Sequence, residues 1–263
     1  MEIIGDIALL RRPPESDLDI EDYRRLGVEL MRRLPYVRSV WLATSPVRGS
    51  YRVREYLHLA GEPRSETIYR EHGCLFKLDV TKVYVSPALN YEHIRVARCV
   101  KPGEEVMNMF AGAGLFSIII AKHSKPKRVV SVDINPHAYS YMVENVRLNR
   151  VSEVVVPVLG DAREVARRCG GCFDRVLMPL PELAYEYFED AVFALREGGI
   201  IHVYDFVGAR SRDEAIPELR AKYLKKSESL GLRSEVVGSR VVRSVGPRYY
   251  QVVLDLRVEK TSS

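Results

Sequence analysis

At 263 residues, with 46% hydrophobic and 29% charged residues, the chain is long enough to bury one large core or two modest ones. No apolar run approaches the roughly 20 residues that span a bilayer, and Glu2 and Asp6 interrupt the N-terminus where a secretory signal needs an apolar core, so a cytoplasmic protein is expected. A net charge of +5, a pI near 9.0 and the pairs Arg11-Arg12, Arg24-Arg25, Arg32-Arg33 and Arg167-Arg168 suit an anionic partner such as RNA without requiring one.

The first hundred residues read as a small α+β unit. A strand is expected over Glu2–Leu10, then a helix over Ile20–Leu34 that starts at Asp17 or Asp19 and stops at Pro35. Ile20, Leu26, Leu30, Met31 and Leu34 mark its apolar face. Val37–Ala43 is a buried strand. Glu55–Ala60, Thr67–Arg70, Gly73–Leu78 and Lys82–Val85 follow as further strands, and Leu89–Val100 is a joining helix. Lys101-Pro102-Gly103 punctuates the chain, which gives an expected division into residues 1–100 and 101–263.

From residue 104 strands and helices alternate, the pattern of a parallel sheet with crossovers. The organising stretch is 106–135. An apolar strand, Val106–Phe110, runs into Ala111-Gly112-Ala113-Gly114, a turn that lets backbone approach a ligand closely. A helix follows over Leu115–His123. The next strand, Arg128–Val132, delivers Asp133 about twenty residues after the glycines, placed to accept hydrogen bonds from a ribose diol. The third glycine of a dinucleotide fingerprint is missing, since Leu115, Phe116 and Ser117 follow Gly114. Beyond it come a helix over His137–Asn149 and strands over Val154–Leu159, Arg175–Met178 and Ile200–Val207. Helices are expected over Arg163–Arg168, Glu182–Arg196 and Asp213–Leu230. Two closing strands, Glu235–Ser244 and Tyr249–Val258, meet at Gly246-Pro247; a dehydrogenase domain would end on another parallel crossover instead. Cys169-Gly170-Gly171-Cys172 has no second such pair to complete a zinc site, and reads as a loop or a local disulfide.

Several stretches together resemble the archaeal and eukaryal tRNA (guanine-37-N1) methyltransferases and their wybutosine-synthesis relatives. They are Ile4-Gly5-Asp6-Ile7, Gly49-Ser50-Tyr51-Arg52, Glu71-His72-Gly73, the run from Asp79 to Pro87, Glu92 with Arg95, and the Met109–Phe116 loop. Asp133-Ile134-Asn135-Pro136, Gly160-Asp161-Ala162 and Val242–Pro247 complete the set. The resemblance implies an α/β, Rossmann-like S-adenosylmethionine (AdoMet) domain ending in an antiparallel hairpin, behind a smaller α+β domain on the tRNA side. It implies AdoMet as cofactor and the tRNA anticodon loop as partner. Relatives usually carry a further small N-terminal docking domain, and this chain is expected to lack it.

The resemblance also assigns roles. Glu92 is the expected general base for the N1 proton and Arg52 the cation at O6, two residue types that suit the chemistry. Asp133 with Ile134 takes the ribose, and Phe110, Gly112 and Gly114 the methionine end. Asp161 backed by Ala162 takes the adenine, while Tyr84 and Pro179 line the cofactor cleft. Plainer readings stand beside these: Asp161 as a helix N-cap, Glu92 as an exposed helix carboxylate, Arg52 as a phosphate-contacting arginine. The sequence departs from the family at Pro179, where asparagine is usual, at Ala88 and His93, where arginine is common, and at Asn108, where an acid often stands. Alternatives left open are aminocarboxypropyl transfer from AdoMet, methylation of a tricyclic guanine intermediate, and a non-catalytic tRNA-binding relative. Ser86-Pro87-Ala88-Leu89 before the glutamate favours methylation over aminocarboxypropyl transfer.

Overall fold

A computed structural model describes residues 1–13, 16–46, 49, 51 and 53–260. The chain begins with a four-stranded sheet of β1 (Glu2–Ile4), β2 (Ile7–Arg11), β3 (Ser39–Ala43) and β4 (Tyr56–Gly61), in that order. The single strand expected over Glu2–Leu10 is two strands, because Ile4 folds back to pair with Ile7. Asp6, in the turn between them, accepts hydrogen bonds from Thr67 and Arg64, which ties the turn to the hairpin that follows.

Helix α1 (Ile20–Arg33) crosses between β2 and β3, which pair in parallel. Asp19 accepts from the Asp22 N–H and Asp22 returns the bond to the Asp19 N–H, a reciprocal capping box. Tyr23 and Gly27 make the buried contact, Gly27 lying against Leu59 and Ala60 of β4. Leu26, expected on the buried face, is exposed. The closest approach to the sheet is made by a glycine, so the contact stripe is rotated from the one that large apolar residues suggest.

Strands β5 (Glu66–Glu71) and β6 (Cys74–Asp79) form a separate hairpin. After it, Lys82–Val85 is not a strand. Val83 and Val85 point inward and Tyr84 outward, a strand-like alternation, but no ladder partner lies beside them among the described residues. A 3₁₀ turn (Pro87–Leu89) then leads into α2 (Asn90–Cys99).

The rest of the chain winds around one large sheet. Its elements are β7 (Glu105–Asn108), α3 (Leu115–His123), β8 (Arg128–Asp133), α4 (Pro136–Leu148), β9 (Val155–Leu159) and α5 (Ala162–Arg167). They continue as β10 (Phe173–Met178), α6 (Pro181–Ala194), β11 (Leu195–Gly208), α7 (Arg212–Ser229), β12 (Leu232–Gly246) and β13 (Tyr249–Lys260). The strand order is β12-β13-β11-β10-β7-β8-β9. Strands β7 to β11 are parallel, and β13 inserts antiparallel between β11 and β12. Apolar residues of α2, α3 and α4 cover one face and those of α5, α6 and α7 the other. Successive crossovers leave β7 in opposite directions, so a crevice opens at the carboxyl ends of β7, β8 and β10.

The β5–β6 hairpin packs into the first of these layers, Phe76 and Leu78 joining the α3 and α4 side chains. Its outer edge is closed in an unusual way. Asn145 on α4 and Asn149, which caps that helix one turn later, each offer an amide to β6 as a neighbouring strand would. Asn145 accepts from Lys77 N at 2.7 Å and donates to Lys77 O at 3.0 Å; Asn149 does the same with Leu75 at 2.9 and 2.6 Å. A buried edge is thus satisfied by side chains. Cys169 and Cys172 form a disulfide in the loop between α5 and β10. No helix among the described residues is long and apolar enough to cross a membrane.

Candidate active site

Strand β7 ends at Asn108, two residues short of the expected Phe110, and the chain turns into the glycine loop. The loop, the end of β8, the segment 83–86 and the start of α5 enclose a cleft of about 650 Å³, within the range of small-ligand sites. Tyr84, Phe110, Gly112, Asp133, Ile134, Asp161, Ala162 and Pro179 all line it. Gly114 stands behind the wall. It begins α3 with φ +91°, and a Cβ there would lie 3.1 Å from Met142 and 3.2 Å from Ile118. Gly112 has φ +56°, and an added Cβ would meet only the Tyr84 carbonyl, at 3.9 Å. Its conformation demands glycine while the space before it stays open to a ligand.

Asp133 is the hinge of the site. One carboxylate oxygen accepts from the Gly112 N–H at 2.7 Å and the other from the Asn135 N–H at 2.9 Å, so it fixes the glycine loop and the start of α4 together. Burial pushes the Asp133 carboxyl up, and the backbone N–H groups only partly oppose that. A carboxylate with two bonds made retains lone pairs for two hydroxyls. Asp161 does cap α5, accepting from Arg163 N at 2.8 Å, and its second oxygen receives the Tyr187 hydroxyl at 3.3 Å. Tyr187 meets Phe110 edge-on at 5.3 Å and lies under the Arg163 guanidinium at 4.3 Å, giving this end of the cleft an aromatic wall.

The two expected catalytic residues are placed differently. Arg52 lies outside the described residues. Glu92 is 1% exposed and is not part of the cleft lining. Its Oε2 accepts from Arg95 Nε at 2.9 Å and the Tyr204 hydroxyl at 2.8 Å, and its Oε1 from Arg240 at 2.8 Å. Arg95 is held in turn by Asp255, at 2.6 and 3.2 Å. Arg240 also stacks on the Tyr91 ring at 4.1 Å.

Other lining residues were not singled out by the sequence as part of the site. Arg243 of β12 donates to Ser86 Oγ at 3.1 Å and the Tyr84 hydroxyl at 3.3 Å, joining the terminal hairpin to the segment 84–86. His93 lines the cleft beside Leu89, and its Nδ1 meets Glu71 Oε1 at 2.5 Å. The Val242–Pro247 motif contains Arg243 and the Glu71–Gly73 motif contains Glu71, but nothing local says that the first meets the segment 84–86 or the second His93.

The TRM5/TYW2 methyltransferase domain model matches residues 67–230. The chain belongs to that family. It is 43% identical over 98% of its length to the tRNA 4-demethylwyosine(37)-methyltransferase Taw21 of Saccharolobus solfataricus, covering 93% of that protein. It is 42% identical to the tRNA (guanine(37)-N(1))-methyltransferase Trm5b of Pyrococcus abyssi over 98% of this chain and 74% of that one. The crystal structure of P. abyssi Trm5b superimposes with a TM-score of 0.85, covering 98% of this chain and 74% of that one at 39% identity. M. jannaschii TYW2 in complex with AdoMet aligns at 0.73 and 29% identity, covering 98% of each chain. The fold is thus the expected AdoMet-dependent methyltransferase fold with an antiparallel terminal hairpin, preceded by a smaller α+β part. The residues present fit AdoMet: a carboxylate at the end of β8, an open glycine loop before it and an aromatic wall beside Asp161.

Proposed function

We propose that the chain transfers the methyl of AdoMet to the purine base at position 37 of tRNA, with N1 of guanosine as the acceptor. The observation that carries this reading is Asp133 bonded to the Gly112 N–H at the edge of the cleft, in a chain whose relatives act on that tRNA position. When bound, AdoMet supplies a methyl on a sulfonium. Asp133 and Ile134 hold the ribose, the Phe110–Gly114 loop the methionine end, and Asp161 with Ala162 the adenine, while Pro179 and Tyr84 close the two sides. Residues 1–100 form the tRNA side of this arrangement and 101–263 the cofactor side.

The acceptor base must leave its stack to reach this cleft. Neutral guanine carries a proton on N1. We assign its removal to Glu92 and the stabilisation of charge at O6 to Arg52. Of the three donors on Glu92, Arg95 and Tyr204 are themselves buried or fixed. The Arg240 side chain is 37% exposed and is the donor that must yield for Oε1 to reach a substrate.

A second reading has its own support. Pro179 offers neither a side-chain donor nor a backbone N–H beside the cleft. That wall suits a larger, less polar base better than guanine, and Taw21 is a 4-demethylwyosine methyltransferase. The experiment is methyl transfer from labelled AdoMet to tRNA transcripts carrying G or A at position 37, and to tRNA carrying 4-demethylwyosine, with nucleoside digestion. Label in 1-methylguanosine from the G37 transcript alone supports the first reading. Label only in the tricyclic nucleoside moves the protein to the second. Label in neither removes both.

Asp133→Ala should weaken AdoMet binding by about 10- to 100-fold, since hydrogen bonds to a charged group contribute roughly 1.5–3 kcal/mol. Calorimetric titration without tRNA checks it, and an unchanged dissociation constant would exclude the ribose role.

A further inference from the structure

Glu92 has three donors, and one of them differs from the other two. Tyr204 is buried on β11, and Arg95 is clamped by Asp255. Arg240 instead sits on β12, the outermost strand of the large sheet, and more than a third of its side chain is exposed. Its guanidinium joins two surroundings. Nη1 donates to the buried Glu92 Oε1, while the group stacks at 4.1 Å on the ring of Tyr91, an exposed residue. Among the described residues, Glu92 is the one carboxylate in ion-pair contact with it.

The charges around Glu92 balance only while Arg240 is there. Glu92 and Asp255 are the carboxylates of the cluster, Arg95 and Arg240 its guanidiniums. Tyr204 and His202 are neutral, since burial pushes the Tyr204 hydroxyl up and the His202 imidazole down. Arg175, on the far side of His202, has its own carboxylate in Glu104. Without Arg240, Glu92 and Asp255 share Arg95 alone. One positive charge is then missing at Glu92 Oε1, and the proton of guanine N1 supplies it. Arg240 in turn needs an anion outside, and a planar guanidinium matches two oxygens of a phosphate. Arg243, three residues along the same edge strand, lines the cleft, and its bonds go to Gln251, Ser86 and Tyr84 rather than to a carboxylate. An RNA that brings a base to the cleft therefore meets the strand that carries Arg240.

We propose that Arg240 exchanges Glu92 for a backbone phosphate of the incoming tRNA, so that RNA binding itself uncovers Oε1. This rests on the reading of Glu92 as the general base and adds what covers that base when no RNA is present. The exchange ties proton removal to a polynucleotide substrate: a free nucleoside, which has no phosphate, leaves Arg240 in place.

The test is a cycle of tRNA affinities on the full chain, measured with a G37 transcript and without AdoMet, so that no methyl is transferred. It compares the wild type, Glu92→Gln, Arg240→Gln and the double variant, each first shown by its melting curve to be folded at the assay temperature. In the wild type Arg240 must be drawn off a carboxylate before it meets RNA. Glu92→Gln removes that competitor and should bind tRNA about 10-fold more tightly, while in the Arg240→Gln background the same change should shift affinity by less than about 2-fold. Arg240→Gln should bind more weakly, and its log affinity should fall less steeply with log salt, by about 0.7–0.9 in the slope, the share of one phosphate contact. If Glu92→Gln does not tighten binding, or tightens it equally with and without Arg240, the two residues do not exchange and the proposal falls. An unaltered salt slope in Arg240→Gln overturns it as well, and that measurement does not depend on the Glu92 variant being stable. The reading of Glu92 as the base fails separately, through a Glu92→Gln methyl-transfer rate close to that of the wild type, whatever the binding cycle shows.

Discussion

Glu92→Gln should slow single-turnover methyl transfer by about 10²- to 10⁴-fold, the usual contribution of a positioned general base. The expected signature is a split between chemistry and cofactor binding. Glu92 lies behind the cleft wall, so AdoMet affinity should not change. Glutamine keeps the volume and can still accept from Tyr204 or Arg95, but it cannot take a proton. The substitution also removes the negative charge facing Arg95 and Arg240, so some loss of melting temperature is expected. Rate and stability can be separated by assaying well below the melting transition. A rate within a few-fold of wild type would place the proton acceptor elsewhere and leave Glu92 as the anion of a structural network.

That network explains why the glycine-loop side of the candidate site was legible in the sequence and the Glu92 side less so. The Val106–Asp133 stretch declares itself locally. Its apolar runs, its glycines and the carboxylate at the end of β8 lie within thirty residues, and α3 spans Leu115–His123 as the pattern predicts. Glu92 and Arg95, by contrast, look like the solvent face of a short helix. Glu92 is buried and Arg95 half-buried because their partners arrive from far along the chain: Tyr204 on β11, Arg240 on β12 and Asp255 on β13. Insertion of β13 between β11 and β12 sets those registers, and no local periodicity encodes them. His93 and Glu71 are separated by a hairpin turn and an extended segment in the same way. Lys82–Val85 shows the opposite failure. Its alternation is real and buries Val83 and Val85, but alternation reports which face is apolar, not whether a neighbouring strand exists. Glu2–Leu10 broke at Gly5-Asp6 because the turn is stabilised from Arg64 and Thr67, beyond any local window.

Asp255→Ala should be the most destabilising single change, lowering stability by about 3–5 kcal/mol, the range for breaking a buried ion pair. Asp255 ties Arg95 to the sheet and accepts from His202 Nδ1 at 2.6 Å. His202 Nε2 faces the Arg175 guanidinium at 2.7 Å, so that nitrogen accepts and the ring is neutral. Burial, with the nearby arginines, holds the His202 imidazole below its usual range to the same effect. Removing the carboxylate strands Arg95 and the His202 N–H together, in a region with little access to water. At roughly 2–4 °C per kcal/mol for a domain of this size, the melting temperature should fall by on the order of 10 °C. Burial alone would raise the Asp255 carboxyl, but His202 and Arg95 more than reverse it and hold it well below the usual carboxylate range. The group is therefore ionised in the folded state at a pH where the unfolded chain takes up a proton. Its contribution is fully present above the unfolded value of about 3.8 and is lost as pH falls from there through the folded value. Asp255→Asn keeps the shape without the charge, so its deficit against wild type should be constant from pH 7 to about pH 5 and shrink below about pH 4. Melting curves for both proteins across that range check it. A deficit that stays the same down to pH 3 would mean that Asp255 acts through packing rather than charge, and that Glu92 and Arg95 do not depend on it electrostatically.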